Sequence, residues 1–224
     1  MNSSREEILH KIRQGLRGTT VAIPAEKSFK ADTDEVAGIL DKSRDKLRAQ
    51  IITELEKVNT NVIEVGSEAE IRNSIDALMK EKQITSFSIW ESEYLKKLKL
   101  KDELKNSGLK LITAKNKNRI AESDIGITEV DYAIADTGTL VILTNKYQPR
   151  TVSLLPPIHL AIVRPENLVR NIRDLFIILK SKLQEGEDLT NCMTFIAGPS
   201  RTADIELNLT LGVHGPKELY VISA

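Results

Sequence analysis

Cysteine and histidine are scarce in this 224-residue chain, and each shortage excludes a class of chemistry. Cys192 is the single cysteine, so no internal disulfide can form, and one thiolate is too few for an iron–sulfur cluster or a structural zinc site. The histidines are His10, His159 and His214, and they show no metal-ligand spacing. We therefore expect no metal site and no redox centre in the chain itself.

The chain also has no net charge and no long apolar run. The 32 basic residues match the 32 acidic residues, so the whole chain exerts no general attraction on nucleic acid or an anionic membrane. Residues 1–7 are polar and lack the apolar core of a secretion signal, and no apolar run approaches the roughly 18 residues of a membrane-spanning helix. We expect a cytoplasmic protein with no membrane span and no nucleic-acid partner.

Familiar catalytic motifs are also absent. The chain has no glycine-rich dinucleotide fingerprint and no P-loop, and it lacks the H-E-x-x-H, C-x-x-C and G-x-S-x-G patterns. No short motif therefore indicates a reaction, and the function has to be inferred from larger features.

The pattern of apolar residues from residue 61 onward predicts an α/β domain. Short strand-like runs at 61–65, 84–90 and 109–113 alternate with two amphipathic segments of helical periodicity. Ser67 and Glu70 form a capping box at the start of the first helix. Such alternation is typical of a mainly parallel sheet covered by helices.

The chain is predicted to divide near residue 33. Residues 1–33 contain a short amphipathic helix and an arm without periodicity, whereas residues 34–224 carry the α/β pattern. The back half is richer in strands. Its predicted elements are strands at 131–136, 139–144, 159–163, 190–197 and 218–222, a helix beginning at Pro165 and a helix over 200–211.

The segment from Gly198 to Asp204 is a candidate anion site. Gly198 begins a Gly-Pro turn that allows close backbone approach, and Ser200 and Thr202 bring hydroxyl groups to the start of the predicted helix. Free N–H groups at a helix start attract anions, and Arg201 adds a planar donor suited to a carboxylate or phosphate. Asp204 partly offsets this positive charge, and an ordinary turn with a Ser or Thr cap is the alternative.

The loop between the strands 131–136 and 139–144 is a second candidate. Thr137, Gly138 and Thr139 follow the carboxylate of Asp136 at a strand end, which is where open α/β sheets bind ligands. The alternative is a tight hairpin or bulge with no ligand.

The third candidate is a glycine-rich loop that holds His214 and Gly215. An imidazole in such a loop can act as a general acid or base or can orient a ligand. The alternative is the end of a helix with an exposed imidazole. His159, which opens an apolar strand, is interpreted as a satisfied core histidine.

Taken together, these segments resemble the LUD domain of the lactate-utilization protein C (LutC/YkgG) family. The resemblance covers residues 34–224 and is strongest from residue 126 onward. The family often has glutamate where this chain has Asp136. The matching stretches are GIT at 126–128, DYAIADTGTL at 131–140, SLLPP at 153–157 with His159, GPSRTADIE at 198–206 and GVHGP at 212–216.

The resemblance implies a fold, a pathway and a site. The fold would be a three-layer α/β/α sandwich with a mainly parallel sheet, similar to the ribose-5-phosphate isomerase, glucosamine-6-phosphate deaminase and CoA-transferase superfamily. The family is linked to the oxidation of L-lactate to pyruvate beside two iron–sulfur proteins, so the clusters would lie in partner subunits. Ligand-binding residues implied by the resemblance are Thr137, Gly138, Thr139, Gly198, Ser200, Arg201, Thr202, Asp204, His214 and Gly215.

Three functions stay open at this point. The first is an accessory or ligand-binding component of an iron–sulfur lactate-utilization system. The second is a separate enzyme acting on a small carboxylate, phosphosugar or CoA ester, with His214 or Asp136 as acid or base and Arg201 holding the anion. The third is a regulatory sensor of lactate or pyruvate. Whether the chain catalyses a reaction and whether it forms a homo-oligomer are left open as well.

Overall fold

The chain divides into two compact units, Met1–Lys30 and Ala31–Ala224. The computed structural model describes residues 3–16, 36, 38–39, 44–113, 117–187, 189–190, 192–203 and 209–224. The first unit holds helix α1 (Ser3–Leu16), whose Ile8 and Ile12 side chains are exposed. Within the described ranges, no helix is both long and apolar enough to cross a membrane.

The second unit contains the sheets and the other helices whose bounds the structure describes. Its helices are α2 (Arg44–Lys57), α3 (Glu68–Glu81), α4 (Glu93–Lys97), α5 (Leu100–Asn106), α6 (Thr151–Leu154) and α7 (Ile172–Gln184). Short 3-10 helices span Lys117–Glu122 and Pro165–Asn167. The strands are β1 (Asn61–Glu64), β2 (Ser86–Ile89), β3 (Lys110–Leu111), β4 (Ile125–Glu129), β5 (Tyr132–Ile134), β6 (Thr139–Leu143), β7 (Ile158–Val163), β8 (Leu168–Val169), β9 (Met193–Ile196), β10 (Arg201–Ala203), β11 (Leu209–Leu211) and β12 (Glu218–Ser223).

The central sheet has the strand order β1-β12-β7-β4-β2-β3, and all its neighbouring strands are parallel. Its two faces are buried by different elements. Leu160 of β7 faces the core beneath α3, α4 and α5, while the next residue, Ala161, faces α2 and its Leu55 side chain. The predicted α/β class with a mainly parallel sheet is therefore confirmed.

A smaller sheet of order β8-β5-β6-β9 lies on the α2 side of the central sheet. Ala133 and Leu140 point into the core shared with α2, whereas Ile134 and Val141 pack against α7 in a third apolar cluster. The strands β5 and β6 pair antiparallel, with Ala133 opposite Leu140, so the loop around Gly138 joins the two strands of a hairpin. The small sheet and α7 add an outer layer to the expected sandwich.

Helix starts follow the local sequence. The Ser67 hydroxyl accepts a hydrogen bond from the Glu70 backbone N–H, as the capping pattern predicts, and the Glu70 carboxylate accepts one from the N–H of Gly66, one residue before the cap. Ser92 caps α4 in the same way. The helical segment predicted between the runs 84–90 and 109–113 is divided in two, because Lys99 adopts a left-handed φ of 53° and starts α5 as a separate helix.

The expected helix over 200–211 is wrong. Residues there form the antiparallel strands β10 and β11, with Thr202 opposite Thr210. Backbone hydrogen bonds at the base of this hairpin explain the difference: Gly212 N–H donates to Ser200 O at 3.0 Å, and Ser200 N–H donates to Pro216 O at 2.9 Å. These bonds join segments far apart in sequence, which a local pattern does not reveal.

The helix expected to begin at Pro165 starts later. A 3-10 turn at Pro165 is followed by β8, whose Leu168 pairs with Ala133 of β5. Helix α7 begins at Ile172, where the Asn171 side chain accepts a hydrogen bond from the backbone of its first turn. Pairing with the small sheet therefore takes precedence over the helical start that proline favours.

Candidate functional site

Two of the three predicted loops meet at a cavity of about 300 Å³, which we call the His159 cavity. The predicted residues that line it are Gly198, Ser200, Arg201, His214 and Gly215. The cavity also has walls that sequence reasoning did not assign, among them Arg150, Ser153, His159 and residues of β9.

The two loops are fastened to each other at Ser200. Its hydroxyl oxygen accepts a hydrogen bond from the His214 backbone N–H at 3.3 Å. Gly215 packs closely on the same residue, because a Cβ atom placed on Gly215 would lie 3.2 Å from the Ser200 Cβ. The backbone bonds from Ser200 to Gly212 and Pro216 complete the junction. The cavity wall is thus built by tertiary hydrogen bonds and not by a helix start.

Helix α6 forms another wall, and it lies unusually close to the sheet. A Cβ atom on Gly126 of β4 would lie 1.8 Å from the Val152 carbonyl oxygen, so only glycine permits this approach. The Ser153 hydroxyl donates to the Arg150 carbonyl oxygen at 3.0 Å. Gly126 therefore positions the turn of chain that brings Arg150 and Ser153 to the cavity.

His159 is a buried polar residue of the cavity lining. It lies on β7, its exposed fraction is 1%, and its Nε2 atom is 2.9 Å from the Thr128 hydroxyl on β4. Its second ring nitrogen, Nδ1, has no hydrogen-bond partner among the described residues. Burial lowers the pKa of His159 to about 3, so the ring is neutral at physiological pH. An uncharged, buried imidazole with one unpaired nitrogen therefore lies in the wall of the cavity.

The charged groups around the cavity are cationic. Arg150 and Arg201 line it, and its described lining includes no aspartate or glutamate. Arg201 also makes a hydrogen bond outside the cavity lining. Its Nη2 atom donates to the Val58 carbonyl oxygen at 2.7 Å, just past the end of α2. This electrostatic setting favours an anion, with Arg150 as the main candidate for its counter-charge.

The third predicted loop does not line this cavity. Thr137 and Thr139 share a hydrogen bond of 2.8 Å between their hydroxyls, and Gly138, with a φ of 58°, packs on α2, where a Cβ would lie 2.6 Å from the Glu54 carbonyl carbon. The Asp136 carboxylate accepts a hydrogen bond from the Gln50 side chain of α2 at 2.9 Å. These residues therefore hold the small sheet against α2.

The remaining predicted residues occupy other positions. Thr202 lies in β10, paired with Thr210 of β11, and is not part of the cavity lining. Asp204 lies outside the described residues. Within the described part of the chain, no group of three or more metal-ligating side chains occurs.

A second, larger cleft of about 1100 Å³ lies at the carboxyl ends of β4 and β7. Arg164 forms an ion pair with Glu129 at 2.6 Å and another with Glu166, and its guanidinium lies 4.6 Å from the centre of the Tyr94 ring. Burial raises the pKa of Asp131 in this cleft to about 6. The lining carries both signs of charge, so it shows no single electrostatic preference.

The cavity residues that were not predicted have weak local sequence features or none. His159 was interpreted as a satisfied core histidine; it is buried as expected, but only one of its two nitrogens has a partner. A lone histidine inside an otherwise apolar strand is the one local sign of this position. No local sequence feature marks Arg150 as a cavity residue, because its proximity to β9 and to the 198–201 turn arises only in the folded chain.

A family model for the LUD domain matches residues 48–223. The chain belongs to the LUD domain family. Among curated LUD-type relatives, "Lactate utilization protein C" of Halalkalibacterium halodurans is 32% identical over 187 residues, which cover 81% of each chain. "Lactate utilization protein C 1" of Bacillus mycoides is 30% identical over 229 residues, covering 98% of this chain and 96% of that one.

A solved structure supports the LUD assignment at the level of the fold. It is the crystal structure of a DUF162 family protein from Deinococcus radiodurans, with a TM-score of 0.58 and 21% sequence identity, covering 81% of this chain and 98% of that one. At this identity the likeness concerns the fold alone. The matched LUD segment includes both the cavity and the larger cleft.

Proposed function

We propose that this LUD-domain chain takes part in lactate utilization, as an accessory or ligand-binding component without a redox centre of its own. The observation that carries the proposal is its 30% identity, along 98% of its length, to a protein named "Lactate utilization protein C 1". A similarity that extends over nearly the whole chain favours a shared role more strongly than one shared motif would.

The redox step belongs to partner proteins in this proposal. Oxidation of L-lactate to pyruvate removes two electrons and two protons from the hydroxyl-bearing carbon and its oxygen, and an acceptor must take the electrons. An iron–sulfur cluster usually needs four cysteine ligands, and this chain has only Cys192. We assign the electron-accepting clusters to iron–sulfur subunits that act beside this chain in the cytoplasm.

The His159 cavity supports a ligand-binding role. Lactate and pyruvate are small monocarboxylates, and the described lining of the cavity offers arginines and histidines but no carboxylate. The role proposed for the chain is to hold such an acid while electrons pass through the partners.

Deletion of the gene in the organism that encodes it tests the proposal. We expect loss of growth on L-lactate as the sole carbon source and unchanged growth on glucose. A plasmid copy of the gene should restore growth on L-lactate, which controls for effects on neighbouring genes. Affinity purification of the tagged chain should also recover proteins with the visible absorption of iron–sulfur clusters. Normal growth and normal lactate oxidation in the deletion strain would refute the role.

A further inference from the structure

We propose that the free edge of β9 is a docking site for an extended, acidic segment of a partner protein, which adds a strand to the small sheet beside Phe195. The side of β9 (Met193–Ile196) that faces away from β6 is called the β9 edge. The presence of this edge rests on the strand pairing, whereas the choice of a partner protein rests on the proposed accessory role of the chain.

The hydrogen-bond pattern of β9 leaves the backbone of Phe195 unpaired. In an antiparallel pair, residues that bond to the neighbouring strand alternate with residues whose N–H and C=O point away from it. The Thr144 N–H donates to the Cys192 carbonyl oxygen at 3.2 Å, and the register of β6 and β9 carries this alternation to Thr194 and Ile196. Phe195 therefore points its N–H and C=O away from β6. Among the described residues, no other backbone group bonds to them.

The His159 cavity runs along the β9 edge. Thr194 and Ile196 pair with residues of β6 that face the central sheet, whereas Phe195 pairs with Val141, which packs against α7 on the opposite face. Thr194, Phe195 and Ile196 all line the cavity. A cavity lined from both faces of a strand lies beside that strand, and β6 occupies the other side. Phe195 and Ala197 are also exposed, so the edge is open.

An open strand edge selects a polypeptide in extended conformation. An added strand pairs its own N–H and C=O groups with the edge, and its alternate side chains meet the neighbouring surface. Proteins usually protect an exposed edge with lysine, proline or other interrupting residues, but β9 has the sequence MTFI and contains none of them. Exposed apolar side chains, Phe195 on β9 and Val213 beside His214, accompany the edge. The β9 edge is therefore built to be paired.

The charge beside the β9 edge favours an acidic segment. Arg150 and Arg201 line the cavity, and its described lining has no aspartate or glutamate. A second copy of the chain would bring the same two arginines against themselves, so pairing between two β9 edges is disfavoured. A carboxylate side chain of the docked segment takes the place beside Arg150 that a free small acid would take. The segment and the acid therefore occupy the cavity in turn.

Amide hydrogen exchange of the purified full-length chain, followed by NMR, tests the β9 edge without any variant. We expect the Phe195 N–H to exchange at least about tenfold faster than the N–H groups of Thr194 and Ile196, which donate to β6. Equal protection of the three would show that the edge is already covered and would overturn the proposal. Protection of Phe195 that grows with protein concentration would assign the edge to a second copy and would overturn it as well.

A synthetic peptide of about six residues, alternating glutamate and valine with blocked ends, is the probe for the docked segment. We expect calorimetry to give a Kd below about 1 mM for the native chain, and the bound peptide to slow exchange of the Phe195 N–H at least about tenfold. The same peptide with lysine in place of glutamate should bind at least about tenfold more weakly, because its charge is reversed. No binding of the glutamate peptide, or equal binding of the two peptides, would contradict the proposal.

Phe195→Pro tests the outward N–H, and Phe195→Val is its matched control. Both variants lose the aromatic ring, but only proline removes the donor, and an N–H that points away from β6 is not needed for the pairing of β6 with β9. We expect Phe195→Pro to bind the glutamate peptide at least about tenfold more weakly than Phe195→Val. Equal binding by the two variants would place the peptide elsewhere and reject the edge. Protection of the Phe195 N–H by the peptide, measured on the native chain, decides the same point if the proline variant loses its native circular dichroism.

Arg150→Gln tests the charge complementarity, and Arg119→Gln is its control. Arg119 is an exposed arginine that pairs with Glu122 and is not part of the described cavity lining, and its loss changes the net charge equally. We expect at least about a threefold loss of affinity for the glutamate peptide in Arg150→Gln and no loss in Arg119→Gln. Equal losses would assign the effect to general charge and contradict the proposed contact.

The outcomes for the β9 edge and for the proposed function are separable. Binding of the glutamate peptide, combined with normal growth of the deletion strain on L-lactate, would retain the docking edge and reject the proposed function. Absence of peptide binding, combined with loss of growth on L-lactate, would reject the docking edge and retain the function. Excess L-lactate should weaken peptide binding; an unchanged affinity would retain the docking edge and contradict the binding of a small acid in the cavity.

Discussion

At the scale of single residues, the buried imidazole of His159 makes stability depend on pH. Burial lowers its pKa to about 3, whereas the unfolded chain binds the same proton near pH 6.5, so the unfolded state binds more protons between these values. The stabilisation is complete above pH 6.5 and is lost as the pH falls. We expect the native chain to lose about 2 kcal/mol relative to His159→Gln between pH 7 and pH 5, as measured by urea unfolding.

The comparison with His159→Gln is necessary because the titration of Asp131 changes the stability with pH in the opposite direction. Its pKa is raised to about 6 by burial, so the folded chain holds this proton more firmly, and the stabilisation from Asp131 is lost as the pH rises through 6. Both chains contain Asp131, and its effect cancels in their difference. A difference between native and variant chains that stays constant from pH 7 to pH 5 would show that His159 titrates normally.

Residue-scale reasoning from sequence predicted part of the lining of the His159 cavity. Gly198, Ser200, His214 and Gly215 were predicted because glycine turns and polar loops at strand ends have local signatures. Arg150 was not predicted, since its role depends on the packing of α6 against β4, which no local pattern encodes.

At the scale of elements, the predicted turns at Gly138 and Gly198 pack against α2 and the residue that follows it. Gly198 has a φ of 88°, and a Cβ there would lie 2.5 Å from the Val58 carbonyl oxygen. We expect Gly198→Ala to lower the free energy of unfolding by about 2 kcal/mol or more, through the left-handed backbone and the clash with α2. Urea unfolding at pH 7 measures the change.

Gly108→Ala is the matched control for Gly198→Ala. Gly108 has nearly the same φ, 89°, but a Cβ there would meet no atom within 4 Å. Its substitution should therefore show only the backbone effect, about 1 kcal/mol. Equal losses for the two variants would mean that the turn at Gly198 does not press against the end of α2.

The elements also show which structures a local sequence pattern can predict. The helix start at Ser67 was predicted correctly, since its cap involves residues three apart. The helix expected over 200–211 was wrong, because the hairpin there is held by Ser200 bonding to Gly212 and Pro216. Contacts between distant segments decided the second case, and a single sequence does not display them.

At the scale of the whole molecule, the strand order of the central sheet could not be read from the sequence. The pattern predicted a parallel sheet, but the last strand, β12, lies between β1 and β7. Arg48 of α2 joins this arrangement, donating to the Ser223 carbonyl oxygen at 2.8 Å and to the Val65 carbonyl oxygen at 2.9 Å. The carboxyl-terminal strand thus completes both apolar cores of the sheet, with Val221 on one face and Ile222 on the other.

Two truncations test this dependence. Removal of Met1–Lys30 should leave the melting temperature of the Ala31–Ala224 unit within about 2 °C of the full chain, because every described residue of its three apolar clusters lies in that unit. Removal of residues 218–224 should abolish the cooperative thermal transition, since β1 and β7 would each lose a partner strand and both cores would be opened. Circular dichroism in the near and far ultraviolet measures both. A chain lacking residues 218–224 that melts cooperatively near the native temperature would show that the sheet is stable without β12, although β12 pairs with both β1 and β7.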